Sequence, residues 1–311
     1  MLEQLKTTVR AVLVPISRHR TLLERSRYAG VQILEPQAGN DYLSEMLLAS
    51  LPMAAGKMGE SELGGLRHYE RYRDAQGRCT RWGAYWKRLN VNAGVYPADA
   101  DVYSRFCRRF GQALGSLDVL AVWFPLGENE MRLKFAQNAT PVANRALEPF
   151  YHERPWSRHL DDKRVLVVTP FASTVLSQYA RRKEIWRDKP DVLPDFHLDT
   201  LRCPLSAGLV NPTCPDWFSA LDSMRAEMSR REFDIAIVGA GAWGVPLASH
   251  AKELGKIGIH LGGPTQILFG IRGGRWDSHP IIKTFYNDAW VRPGIADRPE
   301  NFRNIENGCY W

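Results

Sequence analysis

The chain is short of paired cysteines, long apolar runs, internal repeats and low-complexity tracts, and each shortage closes a class of protein. Its five cysteines, Cys79, Cys107, Cys203, Cys214 and Cys309, are odd in number, scattered, and form no Cys-x-x-Cys. A disulfide framework or a structural zinc site is therefore not expected, and a reducing compartment is. No stretch approaches the roughly 18 to 20 apolar residues that span a bilayer. The first apolar run, Ala11 to Val14, is too short for the core of a signal peptide. A cytoplasmic protein is the expectation. Without secretion, the sequon Asn138-Ala-Thr140 carries no meaning.

What is present reads as an ordinary globular chain. It has 311 residues, 44% apolar and 24% charged, which excludes fibrous, collagen-like and largely disordered proteins. The 41 Lys and Arg exceed the 34 Asp and Glu, for a net charge of +7. That surplus attracts anions, but nucleotide phosphates, nucleic acid and acidic lipid all satisfy it. Leu2, Leu5, Val9, Val12 and Ile16 recur at helical spacing beside Lys6 and Arg10. This pattern predicts an amphipathic segment over residues 1–30, docked on the core or in peripheral contact with the inner face of a membrane.

From Asp118 onward the pattern is α/β. Asp118 to Phe124, Arg164 to Thr169, Asp234 to Val238 and Ile257 to Leu261 are short, nearly continuous apolar runs, as in parallel strands buried on both faces. Helices are predicted from Ala172 to Trp186, with Ser173 and Thr174 as caps, from Trp217 to Arg231, with Leu221, Met224 and Met228 on one side, and from Trp243 to Leu254. Strand, helix and strand at this spacing make βαβ units. The expectation is a Rossmann-like, doubly wound, mostly parallel sheet in a single domain. Residues 160–275 would form its Rossmann-like half, with irregular additions at both ends. Asn90 to Pro97 and the Pro-rich stretch Pro190 to Pro215 read as loops.

Four features carry chemistry. Gly239-Ala-Gly-Ala-Trp-Gly244 is a G-x-G-x-x-G directly after a strand, a turn that brings backbone N–H groups to a diphosphate. The next strand ends His260-Leu-Gly-Gly263 without the carboxylate that holds a nicotinamide ribose, which counts against an NAD(P)-dependent oxidoreductase. Glycines that merely pack helix on strand are the plainer alternative. Glu60 and Glu62 would point to one side of an extended segment and suit Mn2+ or Mg2+ shared with a diphosphate. On a helix they would diverge and only complement its dipole. His260, at the carboxyl end of a strand, is a ligand contact or a hydrogen-bonded structural residue. Arg67 to Arg88 interleaves arginine with Tyr69, Tyr72, Trp82, Tyr85 and Trp86, but Glu70 and Asp74 interrupt it, so a solvated face or a substrate rim is preferred to a nucleic-acid surface.

Gly59-Glu-Ser-Glu62-Leu63 resembles the G-D-G-E segment of glycosyltransferases of the GT-D fold type, and Asp234 to Gly270 looks like that family's C-terminal glycine-rich unit. Leu147-Glu-Pro-Phe-Tyr151, Thr169-Pro-Phe-Ala172, Tyr286 to Pro293 and Glu306-Asn-Gly-Cys-Tyr-Trp311 resemble a group of uncharacterised bacterial proteins from polysaccharide gene clusters. The likeness to this group spans most of the chain from Glu60; that to the characterised transferases spans the two motif regions. It implies a nucleotide-sugar donor, a saccharide or glycolipid acceptor, and a Mn2+ or Mg2+ ion on Glu60 and Glu62. Donor contacts are implied for Lys57, Gly59, Ser61, Gly241, Trp243, Gly244, His260, Gly262 and Gly263. Glu60 stands where that family has Asp and Ser61 where it has Gly, so one carboxylate alone, or none, could serve the metal. An inverting transfer needs a base, for which Glu128 is the candidate, with Asp99 and Asp101 as competitors. A non-enzymatic binder of an anionic polymer is the remaining alternative.

Overall fold

The computed structural model describes residues 19–81, 83–207 and 213–311. The segment from Leu2 to Ile16, and Trp82, lie outside them. Seven strands, β1 (Met53–Gly56), β2 (Val119–Val122), β3 (Thr140–Ala143), β4 (Arg164–Thr169), β5 (His197–Arg202), β6 (Ile235–Val238) and β7 (Ile257–His260), form one all-parallel sheet. Their order is β3-β2-β1-β7-β6-β4-β5. The strands of residues 160–275 thus lie side by side, and β7 joins them to β1.

The helices that cover the sheet include α1 (Pro36–Ala49), α2 (Glu60–Tyr72), α3 (Ala100–Gly115), α4 (Glu128–Phe135), α5 (Ala172–Tyr179), α6 (Trp217–Ser229), α7 (Gly244–Glu253) and α8 (Pro264–Leu268). Strand side chains alternate between two apolar layers, as the two-residue period of a strand requires. Ala236 and Val238 join Leu66, Phe106, Leu221 and Leu247 of α2, α3, α6 and α7. Ile235 and Ile237 join Leu43, Val175 and Ile267 of α1, α5 and α8 on the other face. The fold is α/β, Rossmann-like and doubly wound, with β4 sending its chain to one face and β6 to the other. Among the described residues no helix is long and apolar enough to cross a membrane.

Several expectations need correction. The stretch from Pro190 to Pro215 contains strand β5, and β1 and β3 add two strands that carry no long apolar run. The helix expected from Ala172 to Trp186 breaks into α5 and a short turn at Arg182–Ile185. Neither Ser173 nor Thr174 caps it. Asp297, distant in sequence, does so by accepting from the backbone N and Oγ1 of Thr174 at 2.7 and 2.6 Å. Within the expected loop from Asn90, residues Arg88–Asn92 form a π-helix. Of the two readings for Glu60 and Glu62, the helical one holds: both lie in the first turn of α2 and not on an extended segment.

Candidate functional site

A cavity of about 830 Å³ opens at the carboxyl ends of the strands, where open α/β sheets take their ligands. All seven strands reach it: Lys57 follows β1, Trp123 β2, Asn144 β3, Pro170 β4, Cys203 β5, Gly239 β6 and Gly262 β7. The segment from Ile305 to Trp311 supplies the far wall.

Each glycine after β6 has its own task. A Cβ on Gly239 would lie 2.6 Å from Thr265 Oγ1, so its absence lets the turns after β6 and β7 touch. Gly241 adopts φ +52°, a left-handed conformation that favours glycine. Gly244 makes room for His260, whose Nδ1 and Cε1 are each 2.0 Å from where a Cβ would stand. His260 Nδ1 donates to the Val238 carbonyl at 3.2 Å, because a carbonyl can only accept. Nε2 is therefore the unprotonated acceptor. Burial, helped by the charge of Lys57, lowers the pKa of His260 to about 4, so the ring is neutral at pH 7.

After β1, Gly59 is the N-cap of α2 and Glu62 stands three residues on. The Glu62 carboxylate folds back over the glycine: a Cβ at 59 would meet Oε2 at 2.2 Å. Burial raises the Glu62 pKa to about 7, and the nearby Glu306 charge adds to the rise. Glu60 is exposed on the cavity wall, with Ser61 beside it. The two glutamates leave the helix in different directions, and among the described residues no group of three or more His, Cys, Asp and Glu could hold a metal ion. Glu60, the exposed one, fits a divalent cation only if a ligand's phosphate oxygens complete its shell.

Lys57 is engaged within the wall. Its Nζ donates to Asn144 Oδ1 at 3.1 Å and lies 3.6 Å from Glu148, while Asn144 also donates to Glu148. Burial lowers the Lys57 pKa, and the charge of Arg275 acts in the same direction. Lys57, His260 and Arg275 converge on one turn. A Cβ on Gly262 would be 3.5 Å from Lys57 Cε and 3.7 Å from His260 Cε1; one on Gly263 would be 3.6 Å from Arg275 Nη1. Near this turn, Thr265 Oγ1, Gln266 Oε1 and Trp276 Nε1 are buried on the cavity wall without a hydrogen-bond partner among the described residues. Trp243 lines the cavity above the glycine turn, its indole stacked 6.1 Å from Trp217.

The structure does not bring Glu128 to the cavity. It is fully buried at the start of α4 and accepts from Phe124 N at 2.9 Å, Trp123 N at 3.3 Å and Tyr28 Oη at 3.2 Å. Burial pushes its pKa up to about 8, although these donors pull it down. Its task is to hold the Trp123–Phe124 turn, where Phe124 takes φ +65°, and Trp123 then donates from Nε1 to Met58 O across the cavity mouth. A base must reach its substrate, so Glu128 is withdrawn as the candidate. Asp99 caps α3 through Asp101 N and Val102 N, and neither Asp99 nor Asp101 lines the cavity.

Sequence reasoning missed Arg275, Asn144, Trp123 and Glu306. No local pattern marks a role for them: Trp123 and Asn144 follow β2 and β3, Arg275 stands in the short helix Gly274–Asp277, and Glu306 lies in a C-terminal segment that carries only a resemblance. Arg275 stacks on Tyr310 at 4.7 Å and pairs with Glu306. Compared with known proteins, the chain matches no family model, no curated protein and no solved structure.

Proposed function

We propose that the chain is a glycosyltransferase that binds a nucleotide diphosphate sugar in this cavity and passes the sugar to a hydroxyl of a saccharide or glycolipid. One observation carries the reading: Lys57, Arg275 and the acceptor nitrogen of His260 converge on the Gly262–Gly263 turn, in a cavity large enough for such a donor. Paired cations and close backbone approach suit a diphosphate. The cavity's aromatic residues suit a base or sugar ring. The likeness of the glycine-rich and Glu60–Glu62 segments to GT-D glycosyltransferases supports the same class.

In this reading Lys57 and Arg275 balance the charge that develops on the leaving diphosphate. A Mn2+ or Mg2+ ion, if bound, would add Lewis-acid stabilisation there, held by Glu60 and the phosphate oxygens. His260 Nε2 accepts a hydrogen bond from a donor hydroxyl or base N–H. Glu62, half ionised near pH 7, takes the proton from the acceptor hydroxyl as its oxygen bonds to the anomeric carbon and the bond to the β-phosphate breaks. Arg88, on the cavity wall, and the exposed Trp86 form the rim that meets the acceptor. Nucleic acid is not among the partners; peripheral contact with the inner face of a membrane is compatible with a glycolipid acceptor.

A thermal-shift screen tests this. Nucleotide sugars should stabilise the wild type, more so with Mn2+, and the Glu60→Ala, Glu62→Ala double variant should lose the Mn2+ increment. Stabilisation by NADH alone, independent of metal, would indicate the oxidoreductase class instead. Binding of a polyanion with steep salt dependence and no response to nucleotide sugars would indicate a non-enzymatic binder.

A further inference from the structure

We infer that Glu306 is an internal stand-in for the ligand's phosphate: its carboxylate engages Arg275, and donor binding displaces it. This rests on the proposal that the cavity takes a diphosphate. Arg275 is a cation of the wall whose guanidinium lies over two aromatic rings, Tyr310 at 4.7 Å and Trp276 at 5.8 Å. Such a fork binds carboxylate and phosphate oxygens in the same geometry. At present Nη2 bonds to Glu306.

Glu306 sits at the tip of a turn that is anchored on both sides. Ile305 before it is buried, and behind it Cys309 O accepts from Arg275 N at 2.8 Å while Tyr310 O accepts from Gln266 Nε2 at 2.8 Å. Between these anchors Glu306, Asn307 and Gly308 take φ of +45°, +59° and +74° in succession. Left-handed backbone is unfavourable for Glu, though Asn and Gly tolerate it, so the turn at Glu306 persists only because its contacts hold it, the bond to Arg275 among them. Glu306 and Arg275 form one ion pair on the cavity wall. A diphosphate arriving at Arg275 adds further negative charge to that group. Glu306 is the member that can leave, because release of its side chain also relieves the turn.

Calorimetric titration with inorganic pyrophosphate, UDP and GDP separates the outcomes. Glu306→Gln should bind the best of these about tenfold more tightly than wild type, since it removes a charged competitor. Arg275→Ala should bind about tenfold more weakly or worse. If Glu306→Gln binds equally or more weakly, Glu306 belongs to the binding wall and the inference is overturned. Should Glu306→Gln fail to fold, Glu306→Asp, which shortens the reach to Arg275, must show the gain; no gain there overturns the inference too. A wild type that binds none of the three probes overturns the diphosphate reading itself, and this inference with it.

Discussion

The ring of His260 stands where a side chain on Gly244 would be, 2.0 Å from the position of that missing Cβ. Gly244→Ala should therefore force the ring out or lift α7 from β7. The expected loss is about 1–3 kcal/mol, the usual range for overpacking a core, measured by denaturant unfolding. Adding His260→Ala should recover part of that stability, because the clash is removed. Ligand binding should not recover, since the acceptor nitrogen goes with the ring. Additive losses in this double-mutant cycle would contradict the contact.

Two buried groups should tilt the pH dependence of stability in opposite directions. Glu62 has its folded pKa raised from 4.5 to about 7, so the folded state holds the extra proton and stability falls as pH rises through that window. His260 has its folded pKa lowered from 6.5 to about 4, so the unfolded state holds the extra proton and stability rises between those values. Each shift corresponds to about 3 kcal/mol. In the wild type the two contributions offset each other between about pH 4.5 and 6.5. Glu128, raised to about 8, adds a further fall with pH in every variant. Relative to wild type, Glu62→Gln should therefore tilt the profile upward with pH, and His260→Asn should tilt it downward. Unfolding free energies at pH 5, 6 and 8 check both slopes.

Asp297 ties the segment after Pro293 to α5. It is buried, accepts twice from Thr174, and lies 2.6 Å from Arg202 Nη2. Asp297→Ala leaves a helix terminus uncapped and Arg202 without its partner, for an expected loss of about 3 kcal/mol. Arg202→Ala should cost less, because Asp297 still accepts twice from Thr174 and the helix stays capped. Equal losses would mean that the ion pair, rather than the cap, is what matters.

The central strands β2, β4, β6 and β7 are legible in the sequence because burial on both faces leaves continuous apolar runs. β1 escapes because Met53-Ala-Ala-Gly56 consists mostly of small residues; a Cβ at Gly56 would already lie 3.2 Å from His260 Cβ. β3 and β5 are the edges, where Pro141 and the half-exposed His197-Leu-Asp-Thr-Leu-Arg202 look like loop. Glycine turns and His260 are local patterns, so they could be placed at a strand end in advance. Glu128 misled because a carboxylate just after a strand is equally suited to holding a strained turn. Arg275 and Glu306 could not be foreseen, since only the folded chain brings them to the Gly262–Gly263 turn.

The strand order has a consequence for how the molecule is made. The last strand synthesised, β7, lies between β1 and β6, with Ala54 and Ala236 both in register with Gly258. Until it emerges from the ribosome, β1–β3 and β4–β6 are separate pieces with exposed central edges. The sheet is finished from its middle, by a pairing between residues some two hundred positions apart. Such non-local pairing is slow to form and leaves unpaired strands open to association in the interval.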